Sequence, residues 1–403
     1  MKNYLQLTFV LLFAIQYFSF AQGTSYCGPY TTSAPIILNG VSNQTITGLE
    51  ITNPTGNCIQ LSNCNNITIQ NCKLGPSTGE GVNLYNCTNI NITNCSMEFI
   101  ETGVYAQQCQ GGINITYNDV KNVQGPMPRG QMVQFNTCNG SGNRINYNVG
   151  ENILGYSYPE DEINLYMSNG TVTDTIEVIG NWIRGGGPST SGGGIMCGDN
   201  GGSYILVRDN VLVNPGQYGI AIASGTHITI LNNKVFSKKQ TFTNVGLFVW
   251  NQYPSNCNTN TVSNNQINWT NNAGVSNGCW NSGNCGTVTG WNTNNCNATI
   301  DSTILPAKII GKNCLTTSVM NIKPLSETIY IYPIPAFEKI SVETSPMIKE
   351  SMLTIYNISG QELIKQQIKD NKTEIDISNL TSGIYFVKLI TGKTVEVRKI
   401  IKE

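Results

Sequence analysis

The side chains best suited to acid–base chemistry sit in the run Tyr158-Pro159-Glu160-Asp161-Glu162. Two carboxylates held close together beside a cation can separate in pKa, leaving one as acid and the other as base. Arg129 and Arg184 stand in the flanking polar stretches, and Glu80 and Glu101 come earlier in the chain. Asp161, Glu162, Arg129 and Arg184 are therefore the first catalytic candidates. Glu160, Asp161 and Glu162 would be the ligands if calcium were involved. Asp199, in Gly198-Asp199-Asn200-Gly201-Gly202, is a further candidate, although a structural turn is the stronger reading there. The whole acid cluster can also be read as loop carboxylates that only pair with the arginines. His227 is the one histidine, so Ser–His or His–metal chemistry has nothing to work with.

These residues need a scaffold, and the chain repeats one. CIQLSNCNNITIQNCKL (Cys58–Leu74) returns as GVNLYNCTNINITNCSM (Gly81–Met97) and GVYAQQCQGGINITYNDV (Gly103–Val120). Each copy reads as two short alternating strands bent at Cys or Asn, too small to bury its own apolar face, so the copies must stack. One inward column runs Ile36, Ile59, Val82, Val104, Val133, Ile163, Ile195, Ile220, Leu247. A second, two residues on, runs Leu38, Leu61, Leu84, Ala106, Phe135, Leu165, Cys197, Ile222, Val249, at spacings, by subtraction, of 22 to 32 residues. Insertions at the corners leave that register intact. Cys64, Cys87, Cys109 and Cys138 align at the first bend. Cys72, Cys95, Asn118, Asn148, Asn181, Asn210, Asn233 and Asn265 align after the second strand. The expectation is packed thiols in those ladders, with Cys257, Cys279, Cys285, Cys296 and Cys314 as the disulfide formers at the end of the stack.

Alternation also defines an outward face on the first strands. Its columns read Gln60, Asn83, Tyr105, Gln134, Asn164, Met196, Ala221, Phe248 and Ser62, Tyr85, Gln107, Asn136, Tyr166, Gly198, Ala223, Trp250. Aromatics interleaved with amides suit sugars, which offer apolar ring faces and hydroxyls. Tyr85, Tyr105, Gln134, Asn164, Tyr166, Phe248 and Trp250 are the expected substrate contacts. The long connections Lys121–Gln131, Glu151–Asp161, Arg184–Gly193 and Ser237–Val245 all run into a first strand, so they should wall one edge of a groove. Glu162 falls in the column that is Gly at 81, 103, 194, 219 and 246, which predicts open space beside its carboxylate. Asp199 would then lie about 15 Å away at strand rise, too far for a direct pair unless the turn folds back.

Composition narrows the class. Only 12% of the 403 residues are charged, Gly numbers 41, and the net charge is −1, which gives no electrostatic reason to expect nucleic acid. Residues 1–21 read as a signal peptide, with Lys2, an apolar run over Leu7–Ile15 and a small-residue end at Ala21. No later stretch is long and apolar enough to span a bilayer. Export makes the 14 cysteines disulfide-permissive, and none has zinc-site spacing. The expected organisation is 1–21 signal peptide, 22–315 solenoid, 316–328 linker and 329–403 a terminal β-domain.

The coil repeat and Asn ladder over roughly Ile36–Trp291 resemble the right-handed parallel β-helix, or pectin-lyase-like, superfamily. That implies an all-β solenoid of about nine to ten coils. The polygalacturonase-type signatures (Asn-Thr-Asp, paired Asp, Gly-His-Gly, Arg-x-Lys) and the pectate-lyase Arg-x-Pro-x-x-Arg pattern are absent, so no catalytic residue carries over. Beyond residue 329 the chain resembles the C-terminal sorting domain of the type IX secretion system of Bacteroidota. The matching segments are YPIPA (Tyr332–Ala336), IYNISGQ (Ile355–Gln361), DISNLTSGIYFVKL (Asp376–Leu389) and the basic tail VRKIIKE; Ile334 replaces the usual Asn. The resemblance implies an immunoglobulin-like sandwich, the type IX machinery as partner, and secretion or display on the outer surface of a Gram-negative cell. Three functions stay open. They are a glycan hydrolase with no cofactor, a calcium-assisted polysaccharide lyase with Arg129 or Arg184 as base, and a non-catalytic glycan-binding β-helix. In each case a monomer acting on extracellular polysaccharide is expected.

Overall fold

The computed structural model describes residues 22–311, 329–344, 351–358, 360–368, 370–391 and 394–403. The expected signal peptide, the linker at 316–328 and Cys314 lie outside the described residues. The chain divides into two compact units, 1–315 and 316–403.

The first unit is a right-handed parallel β-helix. Its first strands are β1 (Ile36–Asn39), β2 (Ile59–Ser62), β3 (Val82–Tyr85), β4 (Val104–Gln107) and β5 (Val133–Asn136). They continue as β6 (Ile163–Asn169), β7 (Ile195–Arg208), β8 (Tyr218–Ile222), β9 (Val245–Val249) and β10 (Cys279–Asn281). Successive strands pair in parallel, β1 to β9 each with the strand one coil on. Leu38, Leu61, Leu84, Ala106, Phe135, Leu165, Cys197, Ile222 and Val249 stand in one column, as their spacing predicts. Second strands extend this sheet, and a separate ten-stranded sheet runs from Thr31–Ser33 to Gln266–Trp269 along the remaining face. Ile, Leu, Val and Cys from every coil fill the interior.

A parallel coil buries its turns, and their backbone groups need partners. The asparagine column supplies them. Asn148, Asn181, Asn210 and Asn233 are fully buried. Each donates from Nδ2 to the Oδ1 of the next, at 3.1, 2.9, 2.9 and 2.9 Å, and each Oδ1 also accepts a backbone N–H from the coil before. Asn294 extends the ladder one coil beyond the sequence reading. In the early coils Cys72 and Cys95 take the same position as buried thiols. Disulfides join Cys257 to Cys285 and Cys279 to Cys296 at the last coils, and Cys27 is also disulfide-bonded.

The second unit carries a three-stranded and a four-stranded antiparallel sheet around Ile340, Val342, Leu353, Ile355, Val387 and Leu389, a small β-sandwich. Among the described residues no helix is long and apolar enough to cross a membrane.

Asn181→Ala removes a donor to Ile145 O and Asn210 and leaves two groups of Asn148 without their acceptor. A loss of about 3 kcal/mol is expected in urea denaturation. Asn91→Thr, on the outward face, should change stability by less than about 0.5 kcal/mol.

Candidate functional site

The groove floor is the outward face of β4 to β10, and its wall is built by the four long connections, laddered through their backbones with the short connection at Gln217 between the third and the fourth. Glu160 N donates to Gly130 O at 3.0 Å, Gln217 N to Gly192 O at 2.9 Å and Asn244 N to Gln217 O at 2.7 Å. The wall covers much of the floor. Gln134, Asn164, Met196 and Phe248 face outward by alternation yet are each under one-tenth exposed.

At the centre lies a carboxylate pair that strict alternation would not have joined. After Leu165↔Cys197 the pairing of β6 with β7 slips, so that Tyr166 faces Asp199 instead of Gly198. Gly198 takes the extra place, at φ +64°, where an added Cβ would stand 1.9 Å from Ser224 O. Only a residue without Cβ fits this bulge. The bulge swings Asp199 into the groove. Asn164 Nδ2 then donates to Asp161 Oδ2 at 2.7 Å and to Asp199 Oδ2 at 2.9 Å. The two acceptor oxygens are thus less than about 6 Å apart, bounded by the sum of those bonds. The expected separation of Asp199 from the acid cluster is corrected: the turn does fold back.

Each carboxylate has a tyrosine of its own. The Tyr218 hydroxyl donates to Asp161 Oδ1, which also accepts Gly193 N at 3.1 Å. The Tyr253 hydroxyl donates to Asp199 Oδ1 at 2.5 Å. Asp161 is buried, and burial pushes its pKa up to about 7 against the opposing bonds from Tyr218 and Asn164. The nearby negative charges raise Tyr218 and Tyr253 further than burial alone does, so both remain hydroxyl donors.

Glu162 is not in the groove. Its column is Cys58, Gly81, Gly103, Met132, Glu162, Gly194, Gly219, Gly246, and it points into the corner of the coil. Cβ atoms built on the flanking glycines would strike core side chains such as Leu212, Val235 and Ile267 or the next coil's carbonyl oxygen. The glycines mark close packing and not open space for a ligand. Glu162 is fully buried, accepts Asn152 Nδ2 at 2.8 and 2.9 Å, and is raised well above the ordinary carboxyl range by burial. Glu160 accepts from Ser191 Oγ at the wall. Glu160, Asp161 and Glu162 therefore face three different sets of partners, and among the described residues no group of three carboxylates, thiols or imidazoles is placed to hold a metal.

The arginines also part company. Arg184 lies on the far sheet, bonded to Glu151 at 3.2 Å and to the carbonyls of Ala307 and Pro306 at 2.9 and 2.5 Å, so it fastens the end of the solenoid and leaves the candidate site. Arg129 stays in the groove, with its guanidinium carbon 3.7 Å from the Tyr105 ring centroid and Nε 3.2 Å from Glu80. It covers the Tyr105 face, which is 4% exposed, so Tyr105 supports Arg129 and is not a stacking platform for substrate. Glu101 beside it is raised by burial and then by the Glu80 charge. Asn164, Gln134 and Arg129 form one chain of contacts, 3.5 Å at each link. Tyr85 and Trp250 are open to solvent, while Tyr166, half-buried, accepts Asn200 Nδ2 at 2.9 Å.

Beyond the carboxylates the floor drops into a cavity of about 520 Å3, lined among others by Tyr218, Phe248, Trp250 and Trp280. Tyr218, Trp280 and Tyr253 were missed in the sequence. Trp280 shares the Phe248 column one coil on, and that position was the available signal.

A parallel β-helix with a carboxylate-bearing groove, joined to a terminal sandwich, is thus the class defined by fold and site. Residues 330–403 match the family described as the secretion system C-terminal sorting domain. That domain directs type IX secretion, to the cell surface or the extracellular space. Beta-agarase D of Zobellia galactanivorans is 30% identical over 80 residues, which are 19% of this chain and 16% of that protein's length. Among solved structures, the catalytic domain of a GH87 alpha-1,3-glucanase variant with tetrasaccharides aligns at 15% identity and TM-score 0.47, over 64% of this chain and 50% of that one. A tailspike protein variant of E. coli bacteriophage HK620 with pentasaccharide aligns at 12% identity and TM-score 0.34, over 90% of this chain and 70% of that one.

Two outcomes test this geometry. Glu162→Gln turns an amide nitrogen toward Asn152 Nδ2, a donor that both Glu162 oxygens now accept, and should cost about 1–3 kcal/mol in urea denaturation. Gly198→Ala should cost about 2 kcal/mol or more, because the positive φ and the clash act together. The raised pKa of Asp161 means the folded chain holds a proton the unfolded chain releases. Stability should therefore fall as pH rises from about 4 through about 7, and Asp161→Asn should flatten that slope in denaturation series across this range.

Proposed function

We propose that the protein is an exported polysaccharide-degrading hydrolase whose reaction is carried by Asp161 and Asp199. The observation behind this reading is the single Asn164 amide nitrogen shared by the two carboxylates, one of which is bonded by Tyr218 from the lining of an aromatic cavity. Oδ1 of Asp161 accepts two hydrogen bonds, from Tyr218 and Gly193, and Oδ2 only one, from Asn164, so a proton held near neutral pH is better placed on Oδ2. Asp161 gives this proton to the leaving glycosidic oxygen. Asp199, half-buried and acceptor-bound, attacks the anomeric carbon, since the close spacing fits a retaining reaction better than a pair with a water between them. Water then enters and gives a proton to Asp161 as its oxygen bonds the anomeric carbon, and the bond to Asp199 breaks to release the sugar with its configuration kept.

The lyase reading loses support because its bases are engaged elsewhere: Arg129 is paired with Glu80, and Arg184 is on the opposite sheet. Glycan panels should show new reducing ends without a rise in absorbance near about 235 nm, the unsaturated-uronate signal that β-elimination would give. Asp161→Asn and Asp199→Asn should each lower kcat by about 10²- to 10⁴-fold. The alkaline limb of kcat/KM, falling near pH 7, should vanish in Asp161→Asn. Unchanged kcat in both variants would remove these residues from the reaction, and binding without turnover across the panel would leave a glycan-binding protein.

A further inference from the structure

We infer that the cavity beside the carboxylate pair is a subsite for uncharged sugar units and that it selects against uronate and sulfated ones. This rests on the hydrolase reading for its place in a reaction, though not for its existence as a binding site.

Three features carry it. The first is a pair of indoles that the fold leaves in water. Trp250 and Trp280 are 43% and 46% exposed, with ring centroids 5.8 Å apart and planes at 70°. Two large apolar faces set at a corner offer the CH faces of a sugar ring something to stack on. They share the cavity with a second apolar layer outside the solenoid core, where Met196, Tyr218, Val245 and Phe248 pack together and Tyr218 meets Phe248 edge-on at 5.4 Å.

The second feature is the polar complement. The remaining lining is amide and hydroxyl, with Gln252, Asn277 and Ser191 among it, and no Lys, Arg or His contributes. Planar amides bond hydroxyls in either direction, but they give no counter-charge to a carboxylate or a sulfate.

The third is the sign of the charge behind the wall. Three acids are each reached through one lining or neighbouring residue: Asp161 through Tyr218, Glu160 through Ser191, and Asp199 through Tyr253. An anionic unit entering the cavity would meet the carboxylates of Glu160 and Asp199, and Asp161 as well above about pH 7, with no cation in the lining; Lys238 and Lys239 of the 237–245 connection lie outside it. Arg129, the cation left in the groove, sits in contact with Tyr105 on β4, toward the other end, and is already paired with Glu80. Trp250 and Trp280 lie two and three coils beyond β7, which is about 10 and 14 Å at the inter-strand spacing. That coil repeat is close to the length one pyranose adds to a chain, so the indoles stand a few sugar units from the bond to be broken.

The test is a tryptophan-fluorescence titration of the full chain with uncharged gluco- and galacto-oligosaccharides and with carboxylated or sulfated counterparts of equal length. Uncharged oligosaccharides should change the emission, and charged ones should bind at least tenfold more weakly at low salt. Trp250→Ala and Trp280→Ala should each weaken binding tenfold or more, read by calorimetry, with thermal melts close to the parent. Asp199→Asn should narrow the gap between charged and uncharged ligands. Equal or tighter binding of the charged set, no binding by any of them, or Kd values unmoved by both tryptophan variants would overturn the inference. Tryptophan-dependent binding with no hydrolysis anywhere would sink the hydrolase reading and leave the subsite standing. Cleavage of a charged polymer that ignores both tryptophans would do the reverse.

Discussion

Every feature of the solenoid depends on backbone hydrogen bonds that join one coil to the next at a fixed pitch. Parallel pairing sets the spacing, and it also fixes which residue of each coil lies above which. Side chains at matched positions become columns, and a column can then do what a single residue cannot. The buried asparagines show this most directly: each serves its own turn and the turn before it, so the ladder is satisfied only as a whole. The groove uses the same rule on the outside. Asn164 reaches Asp199 because β7 lies beside β6 and the bulge at Gly198 shifts their pairing by one, and Trp280 reaches Trp250 because β10 follows β9.

Much of this was legible in the sequence, for a physical reason. Alternation with a buried face admits one register, and a one-residue slip would turn every Ile and Leu outward. The columns from Ile36 to Leu247 and from Leu38 to Val249 could therefore be read without a structure, and the asparagine ladder and the late disulfides followed from them. The site was harder because it lies where alternation fails. At the corner, Glu162 is two residues before outward Asn164 yet points inward, because the chain has turned. Met132 and Cys58 in the same column are apolar and were the clue that this position is interior. At the bulge the count shifts by one, and Gly198, followed by Asp199, was read as a turn. Arg184 looked like a neighbour of the acids because loops were judged by sequence position, whereas its guanidinium reaches around to Pro306 and Ala307.

Burial divides the acids by role more sharply than their spacing does. Glu162 and Asp161 are adjacent in sequence and both raised by burial, yet one is enclosed among core groups and the other is bonded to Asn164 and Tyr218 on the groove side. Asp119 is a third case, pushed up to about 6 by burial while it accepts Thr24 N at 3.1 Å and Gly311 N at 2.6 Å. It ties the entry and exit segments of the solenoid to the same coil. A raised carboxyl is therefore common in this molecule and marks the reactive pair only where a second carboxylate and a cavity accompany it.

The cysteine columns carry a consequence for how the protein matures. Eight buried cysteines remain thiols in the finished fold while others are oxidised at the far end of the same solenoid. Cys64, Cys87, Cys109 and Cys138 follow one another at 23, 22 and 29 residues, by subtraction, so an unfolded chain has many wrong pairings open to it. Each coil that docks takes its own thiol out of contact with oxidant, since contacts run only to the coils above and below. Maturation is then a race between zipping and oxidation, and a solenoid that lays down one coil at a time protects its sulfur as it grows.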